Sequence, residues 1–233
     1  MAGRLGTRPG FGHMADMVRG ALVPVHPDGR RFVAGAVALA LVGWRWRPVR
    51  CLGLALAGAM AFFFRNPARV PPTGRTDVVV APADGEICAV DLAVPPVEAG
   101  LGAQERRRIS IFLSLTDVHV QRAPVAGRVM GIAHTAGTFV SADLPEASDH
   151  NERTVLVLRT PAGADVACVQ VAGMIARRIV TQTAVGDDLA LGQTYGLIRF
   201  GSRVDLYLPA GVAVDVQVGQ RTIGGETVLG RLS

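Results

Sequence analysis

Three short segments carry side chains that could perform acid–base or nucleophilic chemistry. Asp84 lies in the sequence APADGE, at a predicted junction between a strand and a turn. His119 lies in LTDVHVQRAP, directly after an apolar strand, and the dipeptide Gly201–Ser202 lies between two strand-like runs. Carboxylates, imidazoles and hydroxyls are common acids, bases and nucleophiles of enzymes. Any one of these residues alone is more often structural, because turns use such residues freely.

The composition excludes several other kinds of site. The chain has 233 residues and no lysine, so all 24 basic residues are arginines. A lysine-anchored pyridoxal cofactor and a P-loop lysine are therefore excluded. The three cysteines (Cys51, Cys88 and Cys168) predict neither a disulfide framework nor a thiolate zinc site. No two histidines have the i, i+4 spacing of a helical metal site, and we expect no metal.

The basic charge is concentrated at the N-terminus. Residues 1–75 contain eleven arginines and two acidic residues, a formal charge of +9. Residues 76–233 contain thirteen arginines and seventeen acidic residues, a formal charge of −4. Because the basic segment is also the most apolar one, it predicts binding to an anionic membrane surface. Nucleic acid is not an expected partner, since the aromatic content is 5% and aromatics do not alternate with the arginines.

Two uncharged apolar runs, residues 32–44 and 51–64, predict a helical hairpin. Each would be about 20 Å long as a helix, whereas a bilayer core is about 30 Å thick. The connector Arg45–Arg50 contains three arginines and Pro48, which excludes one continuous buried helix. We expect two short helices dipped into one leaflet of the cell membrane, on its cytoplasmic face. A full span and a soluble hairpin packed on the rest of the chain are the alternatives.

From Asp77 onward, short β-rich runs, among them residues 85–90 and 203–208, are separated by Gly and Pro. Their spacing is typical of an all-β sandwich or barrel. We therefore predict a mainly β fold, with a barrel-sandwich-like domain over 76–233 and the apolar helical hairpin within 1–75. A short helix is predicted near 181–189. The sequences PADG at 82–85 and PVAG at 124–127 form an internal echo, and each leads into an alternating strand.

Taken together, these segments resemble the phosphatidylserine decarboxylase family in its short, bacterial and archaeal form. The resemblance covers nearly the whole chain and keeps the order and spacing of its segments. Those segments are HPDGRRF (26–32), FFFRNPARVPP (62–72), PADG (82–85), DVHVQRAPVAG (117–127), NER (151–153), FGSRVDLYLP (200–209) and GGETVLG (224–230).

The resemblance implies a proenzyme that cuts itself between Gly201 and Ser202. The Ser202 hydroxyl would attack the carbonyl of Gly201, and the resulting ester would undergo β-elimination. The products would be a β chain, 1–201, and an α chain, 202–233, that starts with a pyruvoyl group made from Ser202. A glycine before the cut fits this chemistry, because a missing Cβ allows a strained peptide and a close approach.

The resemblance also implies the substrate and the cofactor. Loss of CO2 from an amino acid needs an electron sink conjugated to the amine nitrogen, and the pyruvoyl ketone would provide it without metal or soluble coenzyme. The implied substrate is phosphatidylserine in the membrane, and the implied product is phosphatidylethanolamine. The α and β chains would remain together as a heterodimer, with a higher oligomer left open.

By the same resemblance, Asp84 and a histidine serve Ser202 in self-cleavage, in the manner of a Ser-His-Asp relay. Longer family members have two histidines three residues apart, whereas this chain has His119 at the first position and Arg122 at the second. Either His119 acts in both cleavage and decarboxylation, or Asp84 acts without it. Arg203 replaces the threonine of the longer forms, and would either hold a phosphate or carboxylate or face water.

One other class of protein fits part of the pattern. A membrane-anchored barrel-sandwich adaptor without catalysis would explain the apolar anchor and the internal echo. Such adaptors usually carry a long helical hairpin, and they have no reason to cut the chain before Ser202. A second alternative keeps the pyruvoyl chemistry but changes the substrate to an ether lipid or a soluble amino acid.

Overall fold

The computed structural model describes residues 23–72, 77–137, 150–173, 178–199 and 202–232. The chain forms two compact units that divide between Ala68 and Arg69. The first unit is a helical hairpin, and the second is mainly β, with its large sheet curled into a half-barrel. The fold class predicted from the sequence is confirmed.

The hairpin consists of helix α1 (Pro27–Val42) and helix α2 (Arg47–Phe63). Both helices begin earlier than the apolar runs, because each has a proline in its first turn, where no hydrogen-bond donor is lost. The connector predicted over 45–50 is correspondingly shorter. Among the described residues, no helix has the length and apolarity needed to cross a bilayer.

The two helices pack closely through small residues. A Cβ on Gly53 would lie 2.6 Å from the main-chain nitrogen of Ala40, so only glycine permits this approach. At the open end of the hairpin the Phe32 and Phe64 rings stack, with centroids 5.3 Å apart. The helices are thus held together at the middle and at the open end.

The β unit has fourteen strands among the described residues and one 3-10 turn at Val97–Ala99. The strands are β1 (Val78–Val80), β2 (Gly85–Ala93), β3 (Arg106–Leu113), β4 (Val120–Arg122), β5 (Gly127–Thr135), β6 (Arg153–Arg159), β7 (Asp165–Ala172), β8 (Ile179–Thr181), β9 (Asp188–Leu189), β10 (Thr194–Ile198), β11 (Ser202–Leu208), β12 (Ala213–Val214), β13 (Arg221–Thr222) and β14 (Val228–Arg231).

These strands form three sheets, in which all pairings are antiparallel. The large sheet has the order β13-β2-β3-β11-β7-β6-β5-β9. Two three-stranded sheets have the orders β1-β14-β12 and β4-β10-β8. Strand β11, which begins at Ser202, is therefore an interior strand of the large sheet.

The internal echo in the sequence corresponds to two similar hairpins, β2–β3 and β5–β6. A Cβ on Gly85 or Gly127, the first residues of β2 and β5, would lie 2.3 or 2.5 Å from a carbonyl oxygen of the partner strand. Both hairpins have an irregular register after the third residue of the leading strand. Each PxxG segment therefore ends in a glycine that lies close against the partner strand and begins a bulged strand.

One hydrophobic core joins residues of all three sheets. In the large sheet it takes alternate residues, for example Val204, Leu206 and Leu208 of β11. A second cluster covers the opposite face of β6, β7 and β11 and includes Val169 and Tyr207. Both faces of these strands are buried, which explains the continuous apolar runs in β6 and β7, whereas β11 also buries Ser202, Arg203 and Asp205.

On that opposite face, Arg203 forms a buried ion pair within its own strand. Its Nε lies 2.9 Å from Oδ1 of Asp205, and the two side chains are 4% and 0% exposed. The alternative in which Arg203 faces water is therefore wrong. The carboxylate that it holds belongs to β11 itself.

The helix predicted near 181–189 is also wrong. The segment leaves β8 and forms a tight turn before β9, and Gly186 adopts a φ of 98° there. Asp187 stabilises the turn by accepting hydrogen bonds from the Ala184 nitrogen at 2.8 Å and the Thr183 hydroxyl at 2.9 Å. Side-chain acceptors of this kind compete with helix formation.

Candidate active site

Ser202 is the first residue of β11 and faces the main core. It pairs with Leu113 at the end of β3 and with Ala172 at the end of β7. Its side chain lies on the same face of the strand as Val204 and Leu206, because alternate residues share a face. Ser202 is completely buried, and its Oγ has no hydrogen-bond partner among the described residues. An unpaired buried hydroxyl is unfavourable, and a catalytic role is one of the reasons for which native proteins retain such a group.

His119 is completely buried in the segment that connects β3 to β4. Its Nδ1 lies 3.0 Å from the carbonyl oxygen of Asp117. A carbonyl oxygen can only accept a hydrogen bond, so a neutral His119 ring carries its proton on Nδ1 and its lone pair on Nε2. In this tautomer Nε2 is the nitrogen that can act as a general base.

The segment before His119 is held by Asp117. The Asp117 carboxylate accepts hydrogen bonds from the Ser114 nitrogen and hydroxyl, each at 2.8 Å, and forms an ion pair with Arg221. Burial alone would raise the pKa of Asp117, but the hydrogen bonds from Arg221 and Ser114 outweigh it and lower that pKa. Asp117 therefore stays ionised and anchors the turn that presents His119.

Asp84 lies in the turn before β2 and is held by two donors. Its Oδ2 accepts from Arg69 Nη2 at 2.7 Å, and its Oδ1 accepts from the main-chain nitrogen of Gly224 at 2.7 Å. A Cβ on Gly224 would lie 3.0 Å from the carbonyl carbon of Ala83, so glycine permits this close crossing. The PADG and GGE segments of the sequence thus meet at Asp84.

Arg122, at the position where the family resemblance implies a second histidine in longer members, lies beside the same turn. Its main-chain nitrogen donates to the carbonyl of Pro82 at 2.8 Å. Burial and the nearby charge of Arg69 lower the pKa of Arg122, while Asp84 and Glu226 oppose this shift. The carboxylate of Asp84 therefore lies near two guanidinium groups.

The three predicted residues lie around one end of the large sheet. Strand β3 ends at Leu113, and its two neighbours at that end are the start of β2, next to Asp84, and the start of β11, at Ser202. The chain that leaves β3 leads within a few residues to His119. Gly201 lies outside the described residues.

A buried amide pair supports the His119 segment from the large sheet. Gln170 Nε2 donates to Gln121 Oε1 at 2.9 Å, and Gln121 Nε2 donates to the carbonyl of His119 at 3.0 Å. Both glutamines are completely buried. This chain connects β7 to β4 and fixes the main chain of His119.

Sequence reasoning missed Arg69, Gly224 and the two glutamines as parts of this site. Arg69 and Gly224 lie in two segments that carry the family resemblance, so the resemblance contained a signal for them. Gln121 also lies in such a segment, whereas Gln170 is an ordinary residue of a β-rich run. Its role depends on a contact across 49 residues of sequence.

Comparison with known proteins identifies the family. The family model of phosphatidylserine decarboxylase matches residues 56–230. A phosphatidylserine decarboxylase proenzyme of Mycobacterium avium is 59% identical over 226 residues, covering 96% of this chain and 94% of the relative. The proenzyme of Mycobacterium tuberculosis strain H37Rv is 58% identical over 217 residues, with 93% and 94% covered. That of Mycobacteroides abscessus is 58% identical over 223 residues, with 96% and 94% covered. The chain belongs to the phosphatidylserine decarboxylase family.

Proposed function

We propose that Ser202 becomes the pyruvoyl group with which this decarboxylase acts on phosphatidylserine. In the proposed maturation, Oγ of Ser202 attacks the carbonyl carbon of Gly201, and the peptide bond rearranges to an ester. Elimination then releases residues 1–201 with a free carboxylate and leaves a dehydroalanine at position 202. Hydrolysis of that residue releases ammonia and leaves the ketone. The observation that carries the proposal is the buried Oγ of Ser202, which has no hydrogen-bond partner among the described residues.

The surroundings of Ser202 fit a pyruvoyl group. Conversion would remove the unpaired hydroxyl from an interior flanked by Leu113 and Ala172. A pyruvoyl ketone supplies an electron sink conjugated to the substrate nitrogen, which is the chemistry that loss of CO2 requires. The chain's own residues then have to bind the headgroup, exclude water and deliver a proton.

We assign the role of general base in self-cleavage to His119. Its Nδ1 lies 3.0 Å from the carbonyl oxygen of Asp117, so the basic nitrogen of the neutral ring is Nε2. The same nitrogen, once protonated, would return a proton after CO2 has left. Both oxygens of Asp84 accept hydrogen bonds, from Arg69 and Gly224. Because Nδ1 of His119 is bonded to the carbonyl of Asp117, we assign Asp84 the role of a fixed negative charge near the site, not that of the hydrogen-bonded third member of a Ser-His-Asp relay.

We also propose that the helical hairpin binds the membrane that contains the substrate, on its cytoplasmic face. The tip of the hairpin exposes large apolar side chains, with Val42, Trp44 and Trp46 being 89%, 60% and 71% exposed. The guanidinium of Arg50 lies 4.9 Å from the centroid of the Trp44 ring. Tryptophans next to arginines are typical of segments at a lipid headgroup layer.

Intact mass measurement of the full chain tests the maturation. We expect two species that correspond to residues 1–201 and 202–233, with the shorter one blocked at its N-terminus. Ser202→Ala should remain one chain without decarboxylase activity. Ser110→Ala is the matched control, because Ser110 is a buried serine of β3 outside the candidate active site, and this variant should still be cut. A single uncut chain that decarboxylates phosphatidylserine would overturn the proposal.

The role of His119 is tested by the rate of cutting. His119→Ala should slow the appearance of the two chains by at least about a hundredfold, the usual contribution of a positioned base. Cleavage at the parental rate would show that another group acts as the base.

Membrane binding is tested by flotation with vesicles that contain an anionic phospholipid. Trp44→Ser with Trp46→Ser should reduce the bound fraction several-fold. Val97→Ser, at an 89% exposed position of the β unit, is the control and should bind like the parent. Equal binding by all three proteins would contradict the assignment of the hairpin tip.

A further inference from the structure

A polar cavity of about 420 Å³ lies in the β unit, between the large sheet and strand β8. Its lining includes Thr154 of β6 and His134 of β5, two neighbouring strands of the large sheet. Glu152, the residue just before β6, and Arg178, the residue just before β8, complete its charged lining. The cavity therefore combines a carboxylate, a hydroxyl, an imidazole and a guanidinium.

Strand register places this cavity on the same face of the large sheet as Ser202. Ser202 pairs with Ala172, and the main-chain nitrogen of Ala172 donates to the carbonyl of Glu152 at 2.9 Å. Residues that lie opposite each other in this way share a face. Ser202 and Glu152 are therefore two strand spacings apart, or about 10 Å.

The small sheet places Arg178 relative to His119. At the end of β10, the nitrogen of Ile198 donates to the carbonyl of His119, and the nitrogen of Arg199 donates to the carbonyl of Arg178. His119 and Arg178 thus lie on opposite sides of one strand, also about 10 Å apart. That strand ends at Ile198, a few residues before Ser202.

The polar groups of the cavity are partly ordered by one another. His134 Nδ1 lies 3.0 Å from Thr154 Oγ1, and His134 Nε2 lies 3.9 Å from Glu152 Oε1. Glu152 is mostly buried at 15% exposure, while Arg178 is exposed at the rim. The negative group therefore lies inside the cavity, in the row of Ser202, and the positive group lies at its mouth.

We propose that this cavity binds the phosphoserine headgroup of the substrate, with Arg178 pairing with the phosphate and Glu152 attracting the ammonium group toward Ser202. The inference rests on the proposed function, because it takes Ser202 as the reacting position. The phosphate of the headgroup is on the lipid side, and the carbon at its far end carries both the ammonium and the carboxylate. The positions of Arg178 and Glu152 match those of the phosphate and the ammonium. Guanidinium groups suit phosphate because they donate two parallel hydrogen bonds.

Steady-state kinetics with phosphatidylserine in mixed micelles tests the role of Arg178. Arg178→Gln should raise KM about tenfold or more, the scale of one lost charge-assisted hydrogen bond, with little change in kcat. Arg128→Gln is the matched control, because Arg128 is an exposed arginine of β5 outside this cavity. Both variants should be cut at Ser202 like the parent. Equal KM values for the two variants would overturn the proposal.

A binding measurement tests the cavity without turnover. In the full-length Ser202→Ala chain, glycerophosphoserine should shift the NMR signals of the His134 ring, which His134→Gln identifies by their loss. Arg178→Gln should weaken this binding about tenfold. Glu152→Gln should weaken the binding of glycerophosphoserine more than that of glycerophosphate, which has no amine. Unshifted His134 signals at saturating ligand would overturn the site. If Arg178→Gln weakens the binding of glycerophosphoserine but not that of glycerophosphoethanolamine, which carries the same phosphate, the phosphate assignment is overturned.

The two measurements separate this inference from the proposed function. If the parent chain is not cut, the proposed function fails, and the binding measurement still decides whether the cavity takes the headgroup. If the parent is cut and active but Arg178→Gln has the parental KM, only the cavity assignment fails.

Discussion

The buried pair Gln121–Gln170 gives a prediction whose size follows from its hydrogen bonds. Gln121→Leu removes the acceptor of Gln170 Nε2 and one donor to the His119 carbonyl, which keeps its bond from the Ile198 nitrogen. The main cost is a buried amide left without its acceptor, about 1–3 kcal/mol in the free energy of unfolding. We expect Gln121→Leu to destabilise the chain by this amount.

Gln170→Leu should cost less. It removes the donor to Gln121, but it also removes Gln170 Oε1, a buried oxygen that has no hydrogen-bond partner in the part of the chain that the structure describes. The double variant leaves neither amide behind, so its cost should be lower than the sum of the single costs. The coupling energy should be about 1–2 kcal/mol.

The assay is urea unfolding of the Ser202→Ala chain, which keeps the polypeptide in one piece, followed by far-UV circular dichroism. Tryptophan fluorescence is unsuitable, because both tryptophans, Trp44 and Trp46, lie in the hairpin. Gln104→Leu, at an exposed position, is the control and should change stability by less than about 0.5 kcal/mol. Additive costs of the two single variants would refute the reasoning, since they would mean that the amides do not depend on each other.

Three further predictions concern stability and reactivity. Because the folded pKa of Asp117 is lowered, its stabilising effect is present above the ordinary carboxyl pKa of about 3.9 and is lost as the pH falls through the folded value. In urea unfolding, Asp117→Asn should therefore be less stable than the parent near neutral pH and should lose less stability on acidification. Parallel pH profiles of the two proteins would contradict this. Burial raises the pKa of the Cys168 thiol to about 12. Mass spectrometry should therefore find maleimide on the exposed Cys51 and none on Cys168 of the native protein. Labelling of both cysteines at equal rates would show that the β core opens freely. Gly85→Ala would place a Cβ 2.3 Å from a carbonyl oxygen of β3 and should lower the free energy of unfolding by about 2 kcal/mol, measured by heat or urea. The control Gly131→Ala, whose Cβ meets no atom within 4 Å, should be tolerated. Equal stability of the two variants would show that β2 and β3 have room for a side chain at Gly85.

The long strands were predictable because alternation over seven or more residues leaves a clear pattern. Gly85–Ala93 and Ser202–Leu208, for example, contain the predicted runs 85–90 and 203–208. Strands of two or three residues, such as Arg221–Thr222, contain too few alternations to be recognised. The segment 181–189 was misread as a helix because the turn at Gly186 depends on side-chain acceptors rather than on periodicity.

For the candidate site, Ser202, His119 and Asp84 stay predictions from the family resemblance, and the sequence could not supply their hydrogen-bond partners. Asp84 meets Arg69 across 15 residues and Gly224 across 140, and only the folded chain brings them together. The partner of Arg203 was likewise not predictable, because the strand pattern allows this residue on either the solvent-exposed or the buried face of the sheet. Its ion pair with Asp205 depends on the second hydrophobic cluster that buries both.

The position of β11 determines what a cut before Ser202 would do to the molecule. The segment 202–232 contributes the strand between β3 and β7 and also supplies β13 beside β2 and β14 beside β1. Such a fragment cannot leave without dismantling the large sheet, so the cut would turn one polypeptide into an obligate pair. Unfolding would be unimolecular before the cut, whereas refolding afterwards would require two separate molecules to meet and would depend on their concentration. Folding would therefore have to be complete before such a cut, and a cut sample that has been denatured should recover poorly on dilution.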